Sequence, residues 1–275
     1  MTAAQLSLFQ QAPTLPSATK ARLPIPPAPA HIAHHVIQFS GGAGSALSAI
    51  RVAERVDTQS MTLLIANTQV EDADLWRFSR DVSDFIGVPL TVVADGRDPW
   101  QLFHDVRYLG NNHVAVCTKH LKQIPCRHWM EEHAPPHNSI VYVGIEPTSK
   151  DRPRHESITR NWAPWNVEYP LLEGPDRTKD ELLDELRTLG IKPPRLYELG
   201  FKHNNCGGGC VRAGQSQWKH LLETFPDRYA YAEHQEGQIR TYLQKDVSIL
   251  KRQRNGVTRP LTLAELRREQ EEKLA

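Results

Sequence analysis

The stretch Val36-Ile37-Gln38-Phe39-Ser40-Gly41-Gly42-Ala43-Gly44-Ser45 decides the fold. Its first four residues are a short β-type run, and its last six form a glycine-rich turn. The residues that follow, 45–56 (SALSAIRVAERV), carry apolar positions at helical spacing and contain neither Gly nor Pro. That predicts a helix. A strand that passes through a tight turn into a helix is the opening unit of an α/β sheet, and the pattern recurs downstream. Met61–Ala66 (MTLLIA) reads as a second strand, Glu71–Ile86 as a helix ending at Gly87, and Leu90–Val93 as a third strand. Pro99–Leu109 reads as a third helix and Ser139–Ile145 (SIVYVGI) as a fourth strand. Strands alternating with helices predict an α/β fold with a mostly parallel sheet and helices on both faces. Ligands of such sheets sit beyond the carboxyl ends of the strands. The glycine turn is placed there, and so is Asn67-Thr68 after the second strand.

Upstream of this unit, residues 1–34 read as a tail. Six prolines fall between Pro13 and Pro29 among Ala, Ser and Thr, a composition that buries little and is expected to stay extended or disordered. Residues 35–170 form the α/β domain. From 171 to 260 the character becomes that of a small helical region carrying Cys206 and Cys210. Its clearest element is Thr178–Leu189, with Thr178 as N-cap, Glu181 closing a capping box and Gly190 as terminator. Helices are also predicted at Gln215–Thr224 and across Arg228–Leu243. Residues 261–275 are charged all round and read as a solvated helix or a frayed tail.

The chain has 275 residues, 39% hydrophobic and 24% charged, with a formal net charge of +1. A core of ordinary size is expected. No global field draws the protein to nucleic acid or membrane, so any such contact needs a local patch. No apolar run is long enough to span a bilayer, and the N-terminus lacks a signal-peptide pattern. The expected location is cytoplasmic. The four cysteines, Cys117, Cys126, Cys206 and Cys210, are then expected as free thiols or metal ligands rather than disulfides.

Between a strand and a helix, Ser-Gly-Gly-x-Gly-Ser brings backbone N–H groups close to an anion, and the helix N-terminus adds its positive end. Ser40, Gly41, Gly42, Gly44 and Ser45 are therefore candidate phosphate contacts, with Thr68 beside them. The turn lacks the Gly-Lys-Ser/Thr ending of a Walker A loop and the glycine spacing of a dinucleotide fingerprint. Phe39–Ser45 resembles the PP-loop, usually Ser-Gly-Gly-x-Asp-Ser, of the ATP pyrophosphatases and phosphoadenylylsulfate (PAPS) reductases. Gly44 stands where that family usually has Asp. Cys117-Thr118-Lys119-His120-Leu121-Lys122-Gln123-Ile124-Pro125 is similar to the Cys-Thr-x-x-Leu-Lys-x-x-Pro segment of PAPS reductase-like proteins. His203–Gln215 looks like the C-terminal signature of a branch found in phage and bacterial genomes.

This resemblance implies an adenine nucleotide alpha-hydrolase-like, Rossmann-type fold. It also implies ATP, with magnesium, as the ligand. Lys122 would neutralise the nucleotide anion, and Arg154, after the fourth strand, would clamp phosphate or sulfate. The nucleophilic cysteine of a thioredoxin-linked PAPS reductase has no counterpart after Cys210, so that reaction is not expected.

Cys206 and Cys210 share a glycine-rich turn, and Cys117 opens a segment on the same edge of the sheet. Thiolates from distant segments commonly hold zinc or an iron–sulfur cluster. Cys117, Cys206 and Cys210 are thus candidate metal ligands, with Cys126 as a fourth. A plain structural turn or a reversible disulfide are the alternatives. The segment Asp95-Gly96-Arg97-Asp98 and the residues Arg152, His155, Trp129, Trp162 and Trp165 are further candidates at or near the active edge. At the N-terminus, Gln5-Leu6-Ser7-Leu8-Phe9 resembles the pentapeptide that docks bacterial replication and repair proteins onto the DNA sliding clamp. There Leu8 and Phe9 would fill an apolar groove while Gln5 bonds at its rim. The expected function is ATP-dependent adenylation of, or sulfur transfer to, an acceptor, with nucleic acid as the substrate class. The rival is a non-catalytic adenine-nucleotide or sulfonucleotide module tethered to the clamp.

Overall fold

In the computed structural model, which describes residues 32–274, five strands form one sheet in the order β3-β2-β1-β4-β5. These are β1 (His34–Gln38), β2 (Met61–Ala66), β3 (Leu90–Val93), β4 (Ser139–Val143) and β5 (Asn166–Glu168). Every pairing is parallel, with Ile37 opposite Leu63 on one side and Tyr142 on the other. The expectations at Gln5, Leu6, Leu8 and Phe9 fall outside the described residues.

Period-2 alternation explains how the sheet is covered. Ile37, Leu63, Ile65, Ile140 and Tyr142 face one core, which also holds residues of α1 (Ala43–Ala53), α2 (Ala73–Ile86) and α6 (Lys179–Thr188). Val36, Leu64 and Val141 face the other side, against Cys126 and Met130 of α4 (Ile124–His133) and Trp165. Both faces of the central strands are dry, as a parallel sheet requires. In α2 the buried positions Leu75, Phe78, Ser79 and Val82 recur at helical spacing. Each fully buried aliphatic or aromatic side chain contributes about 1.5–3 kcal/mol over exposure. Asp72 caps the start of α2, and Gly87, with φ of 71°, ends it in the left-handed conformation, as sequence position suggested.

A second core lies beyond the carboxyl edge. It gathers Trp100 and Phe103 of α3 (Pro99–Asp105), Leu196 of α7 (Arg195–Glu198), and Trp218 and Leu221 of α8 (Gln215–Thr224). Tyr229 and Ile239 of α9 (Pro226–Leu243) complete its centre. Two expectations change here. The C-terminal region is not purely helical, because β6 (Leu250–Arg254) and β7 (Val257–Leu261) form an antiparallel hairpin. Nor is α10 (Leu263–Leu274) charged all round. Leu263 and Leu266 are fully buried, one turn apart. Buried Glu236 holds both pieces, accepting from Ile249 N at 2.8 Å and Leu263 N at 2.6 Å. Two apolar residues at i and i+3 suffice to seat a short helix when its first amide is captured this way.

Between β4 and β5, α5 (Arg154–Trp162) adds a helix that the polar sequence did not announce. More consequential is a close backbone approach. A Cβ built on Gly144 would stand 2.5 Å from Gly44 O and 2.6 Å from Ser45 N. Strand β4 therefore delivers its last backbone atoms directly against the first turn of α1. The Gly144→Ala variant is expected to lose about 1–3 kcal/mol, since backbone atoms cannot yield as a side-chain tip can. Gly174→Ala, whose Cβ would meet nothing within 4 Å, serves as the neutral control. Urea unfolding followed by circular dichroism would measure both, and equal midpoints would refute the tight contact.

Candidate functional site

Strand β1 lies between β2 and β4, and the chain leaves the sheet toward opposite sides on either flank. That reversal opens a crevice at the carboxyl ends of β1 and β4, where doubly wound sheets bind ligands. The glycine loop occupies it. Gly41 has a φ of 70°, and a Cβ there would sit 2.6 Å from Leu75 Cγ, so both backbone and space demand glycine. Ser45 is buried; its Oγ donates to Gly42 O at 2.9 Å and accepts from Gly42 N at 3.3 Å. Ser40 Oγ, on the exposed side, donates to Ser45 Oγ at 3.3 Å. Gly42 is the N-cap of α1, so the first amides of that helix, including those at Gly44 and Ser45, point to the crevice.

Residues that sequence reading did not select shape the loop from outside. Asn204 Nδ2 donates to Gly41 O at 2.8 Å, while its buried Oδ1 finds no hydrogen-bond partner among the described residues. Tyr197 OH accepts from Ala43 N at 3.3 Å. Its ring lies 5.0 Å from the Lys179 ammonium, which pairs with the Glu146 carboxylate. Glu146 in turn packs on Gly44, its Cγ 3.5 Å from where a Cβ would be. A carboxylate and an ammonium thus flank the loop, contributed by the turn after β4 and the start of α6. Glu146 was detectable in principle, because it stands one residue past the predicted end of a strand at the active edge. Tyr197, Lys179 and Asn204 arrive from far along the chain and carry no local signal.

The next turn along the edge is built on adjacent carboxylates. Glu71 Oε1 accepts from Thr68 Oγ1 at 2.9 Å and Lys122 Nζ at 3.2 Å; Oε2 accepts from Cys206 N at 2.7 Å. Thr68 is buried, and its hydroxyl braces Glu71. Asp72, 2% exposed, is gripped by Arg195 and Arg228, both at 2.8 Å. Burial by itself would raise the Asp72 pKa, but hydrogen bonds from Arg195, the Asp74 amide and Arg228 outweigh it and hold the carboxyl at about 2. For Lys122, burial opposes the charge; Glu71 and the Cys206 and Cys210 sulfurs more than restore it, so the ammonium is held above its usual range. Lys122 lies on a π-helical turn, Thr118–Gln123, a geometry often found at functional sites.

The structure brings Cys117, Cys206 and Cys210 into one neighbourhood around Lys122 and leaves Cys126 apart. Cys206 has a φ of 50°. The mutual influence of the two thiols raises the Cys206 pKa and lowers that of Cys210. Burial raises the Cys117 thiol and pushes Cys126, packed under the sheet, up to about 12. Among the described residues no group of three His, Cys, Asp or Glu side chains could hold a metal ion. An ammonium already stands beside the sulfurs, which disfavours a second cation there.

Other candidates resolve into structure. Arg97 pairs with Asp95 at 2.6 Å and Asp105 at 3.0 Å, and Asp98 caps α3. Arg152 binds Asp176 and the carbonyls of Leu172 and Gly174. His155 and Tyr169 pack edge to face, while Trp162 and Trp165 stack edge to face under Arg127. Trp129 stacks on His133 with ring centroids 4.8 Å apart. Arg154 pairs with Asp151 at 3.0 Å and remains largely exposed; its charge, with those of Lys179 and Glu146, is felt at His203 beside the loop.

No family model matches the chain, and no curated protein does. Among solved structures, PAPS reductase from Candida auris in a phosphate complex is similar at 11% identity, over 62% of this chain and 78% of that one, with a TM-score of 0.39. The α/β assignment rests on the strand order and register seen here. Among the described residues no helix is long and apolar enough to cross a membrane.

The Asp72 network has a pH signature. A carboxyl whose folded pKa lies below its ordinary 3.8 stabilises the fold above that value, and the contribution fades as pH falls toward about 2. The interval amounts to about 2 kcal/mol. Urea midpoints measured across this window should fall less steeply in Asp72→Asn than in the wild type, and the variant should be weaker at pH 7. Parallel curves for the two proteins would contradict the network.

Proposed function

We propose that this protein binds an adenine nucleotide with its phosphates on Ser40–Ser45 and uses it to activate an acceptor by adenylation or sulfur transfer. The observation that carries this reading is the position of the loop. It lies at the switch point of the sheet, with the N-terminus of α1 aimed into the crevice, which is how helix ends receive phosphate. The Glu146–Lys179 pair favours chemistry over passive binding. An ammonium beside a phosphate stabilises developing charge, and a carboxylate there suits the magnesium that accompanies ATP. Lys122 and Arg154 lie on the same edge and are the further cations of the proposed site.

A nucleic-acid acceptor is supported by the hairpin, where exposed Lys251, Arg254 and Arg259 lie on two short strands, while Arg252 is paired with Glu269. Such a local patch supplies attraction that a net charge of +1 does not. A second reading, a nucleotide-binding module without turnover, is favoured by Gly44, which leaves the loop without a carboxylate of its own.

Titration calorimetry with ATP and magnesium, paired with a pyrophosphate-release assay over RNA and DNA acceptors, tests both readings. The intact protein should bind ATP. Gly41→Ala should weaken that binding by at least about tenfold, or about 1.4 kcal/mol, while Lys179→Ala should reduce turnover more than binding. Binding without pyrophosphate release under any acceptor would select the module. Absence of binding would sink both.

A further inference from the structure

Strands β6 and β7 form a two-stranded ribbon that the rest of the fold holds at its root. There Leu250 and Leu261 lie opposite each other and are buried. Ser248 Oγ accepts from Leu261 N at 3.1 Å, and Gln215 Nε2, at the start of α8, donates to Lys251 O at 2.9 Å. Beyond the root every residue from Gln253 to Arg259 is exposed, so both faces of the ribbon stand in water. Its tip is a tight turn. Asn255 and Gly256 have φ values of 50° and 76°, the successive left-handed pair of a two-residue hairpin whose twist matches its strands. Such a bare hairpin is marginal in water and adds nothing to a core. Yet this one carries Lys251, Arg252, Arg254 and Arg259, with no acidic residue between positions 251 and 259. The whole chain, with 33 Lys and Arg against 32 Asp and Glu, is close to neutral.

The register concentrates that charge. Arg252 lies directly opposite Arg259, and Arg254 opposite Val257. Cross-strand partners share a face, so Arg252, Arg254 and Arg259 occupy the same side of the ribbon. Like charges placed opposite each other destabilise a hairpin. Glu269 of α10 answers Arg252 at 2.6 Å, whereas Arg254 and Arg259 make no ion pair among the described residues. We propose that the β6–β7 ribbon is a docking arm for double-stranded DNA, with Arg254 and Arg259 on phosphates along the major groove. A polyanion relieves the repulsion across the strands, and pairing with it releases the counterions condensed on its phosphates. Shape then selects the form of the duplex. The major groove of B-DNA, about 12 Å wide, admits a two-stranded ribbon, whereas that of A-form RNA is deep and narrow. Val257, 53% exposed beside Arg254, offers an apolar contact of the kind made with a thymine methyl. This arm rests on the nucleic-acid part of the proposed function, narrows it to duplex DNA, and makes no use of the glycine loop.

The test uses the full-length protein, without ATP, and a short fluorescein-labelled DNA duplex of mixed sequence. Anisotropy is read at several salt concentrations, with unlabelled duplex RNA and single-stranded DNA of the same sequence as competitors. Wild-type protein should bind the duplex, with affinity falling steeply as salt rises. The double variant Arg254→Ala, Arg259→Ala should bind at least about tenfold more weakly at low salt and flatten the slope of log affinity against log salt by about 2. Arg80→Ala with Arg187→Ala removes the same charge from exposed positions on α2 and α6, and should stay within about twofold of wild type. Gly256→Val keeps every charge but strains the turn at its φ of 76°, and should weaken binding at least about threefold. Circular dichroism of each variant guards against misfolding, and the wild-type competition series stands without any variant. Duplex RNA should compete at least about tenfold less well than duplex DNA. No DNA binding at low salt, unchanged affinity in the arginine or glycine variant, an equal loss in the Arg80, Arg187 control, equal competition by duplex RNA, or preference for the single strand would each overturn the proposal. Because ATP is absent, failure here leaves the nucleotide-site reading unaffected, and failure to bind ATP leaves this result standing.

Discussion

The Glu71-Asp72 pair governs the active edge. Two adjacent carboxylates follow β2, and each is withdrawn from water. Such groups persist only when hydrogen bonds and opposite charges meet them fully. Glu71 meets Thr68, Lys122 and the Cys206 amide, and Asp72 meets Arg195 and Arg228 while capping α2. In consequence a short turn of the sheet domain fixes the π-helical segment, α7, α9 and the cysteine turn at once.

The crevice at the glycine loop depends on a different constraint, the space between backbones. Gly144 and Gly44 touch where β4 ends and α1 begins. This contact leaves the helix N-terminus facing the crevice with only main chain behind it. The resemblance at Phe39–Ser45 would place an Asp at position 44. The structure instead brings the Glu146 side chain against that spot, from the turn after β4. A carboxylate is therefore present beside the loop even though the loop does not encode one.

Around the thiols, the Lys122 charge is the nearest electrostatic influence. A metal needs several donors converging on one point, and a cation already adjoining the sulfurs works against that. The same ammonium stabilises a thiolate. Lys122 reaches that position because Glu71 anchors it, so the seam that organises the fold also sets the character of the cysteine site.

Local pattern alone determined much of this protein. Short apolar β-type runs named β1 to β4, and helical periodicity with Gly87 as terminator and Thr178 as cap named α2 and α6. The strand–glycine turn–helix order put Ser40–Ser45 at the ligand edge. These features depend on neighbours within a few residues, so they are written in consecutive sequence. The short β5 and the hairpin after Ser248 were missed because strands of three or five residues carry too little pattern to outweigh their charged neighbours, and α5 because it buries none of its nine residues. Tyr197, Lys179, Asn204 and Arg228 were missed for another reason. Each acts on a partner more than a hundred positions away or, for Lys179, on a carboxylate from another element. Only tertiary packing chose among the many polar residues able to fill those roles. It did so because a buried carboxylate or a loop carbonyl accepts whichever donor the folded backbone brings within about 3 Å, and no local periodicity encodes that distance.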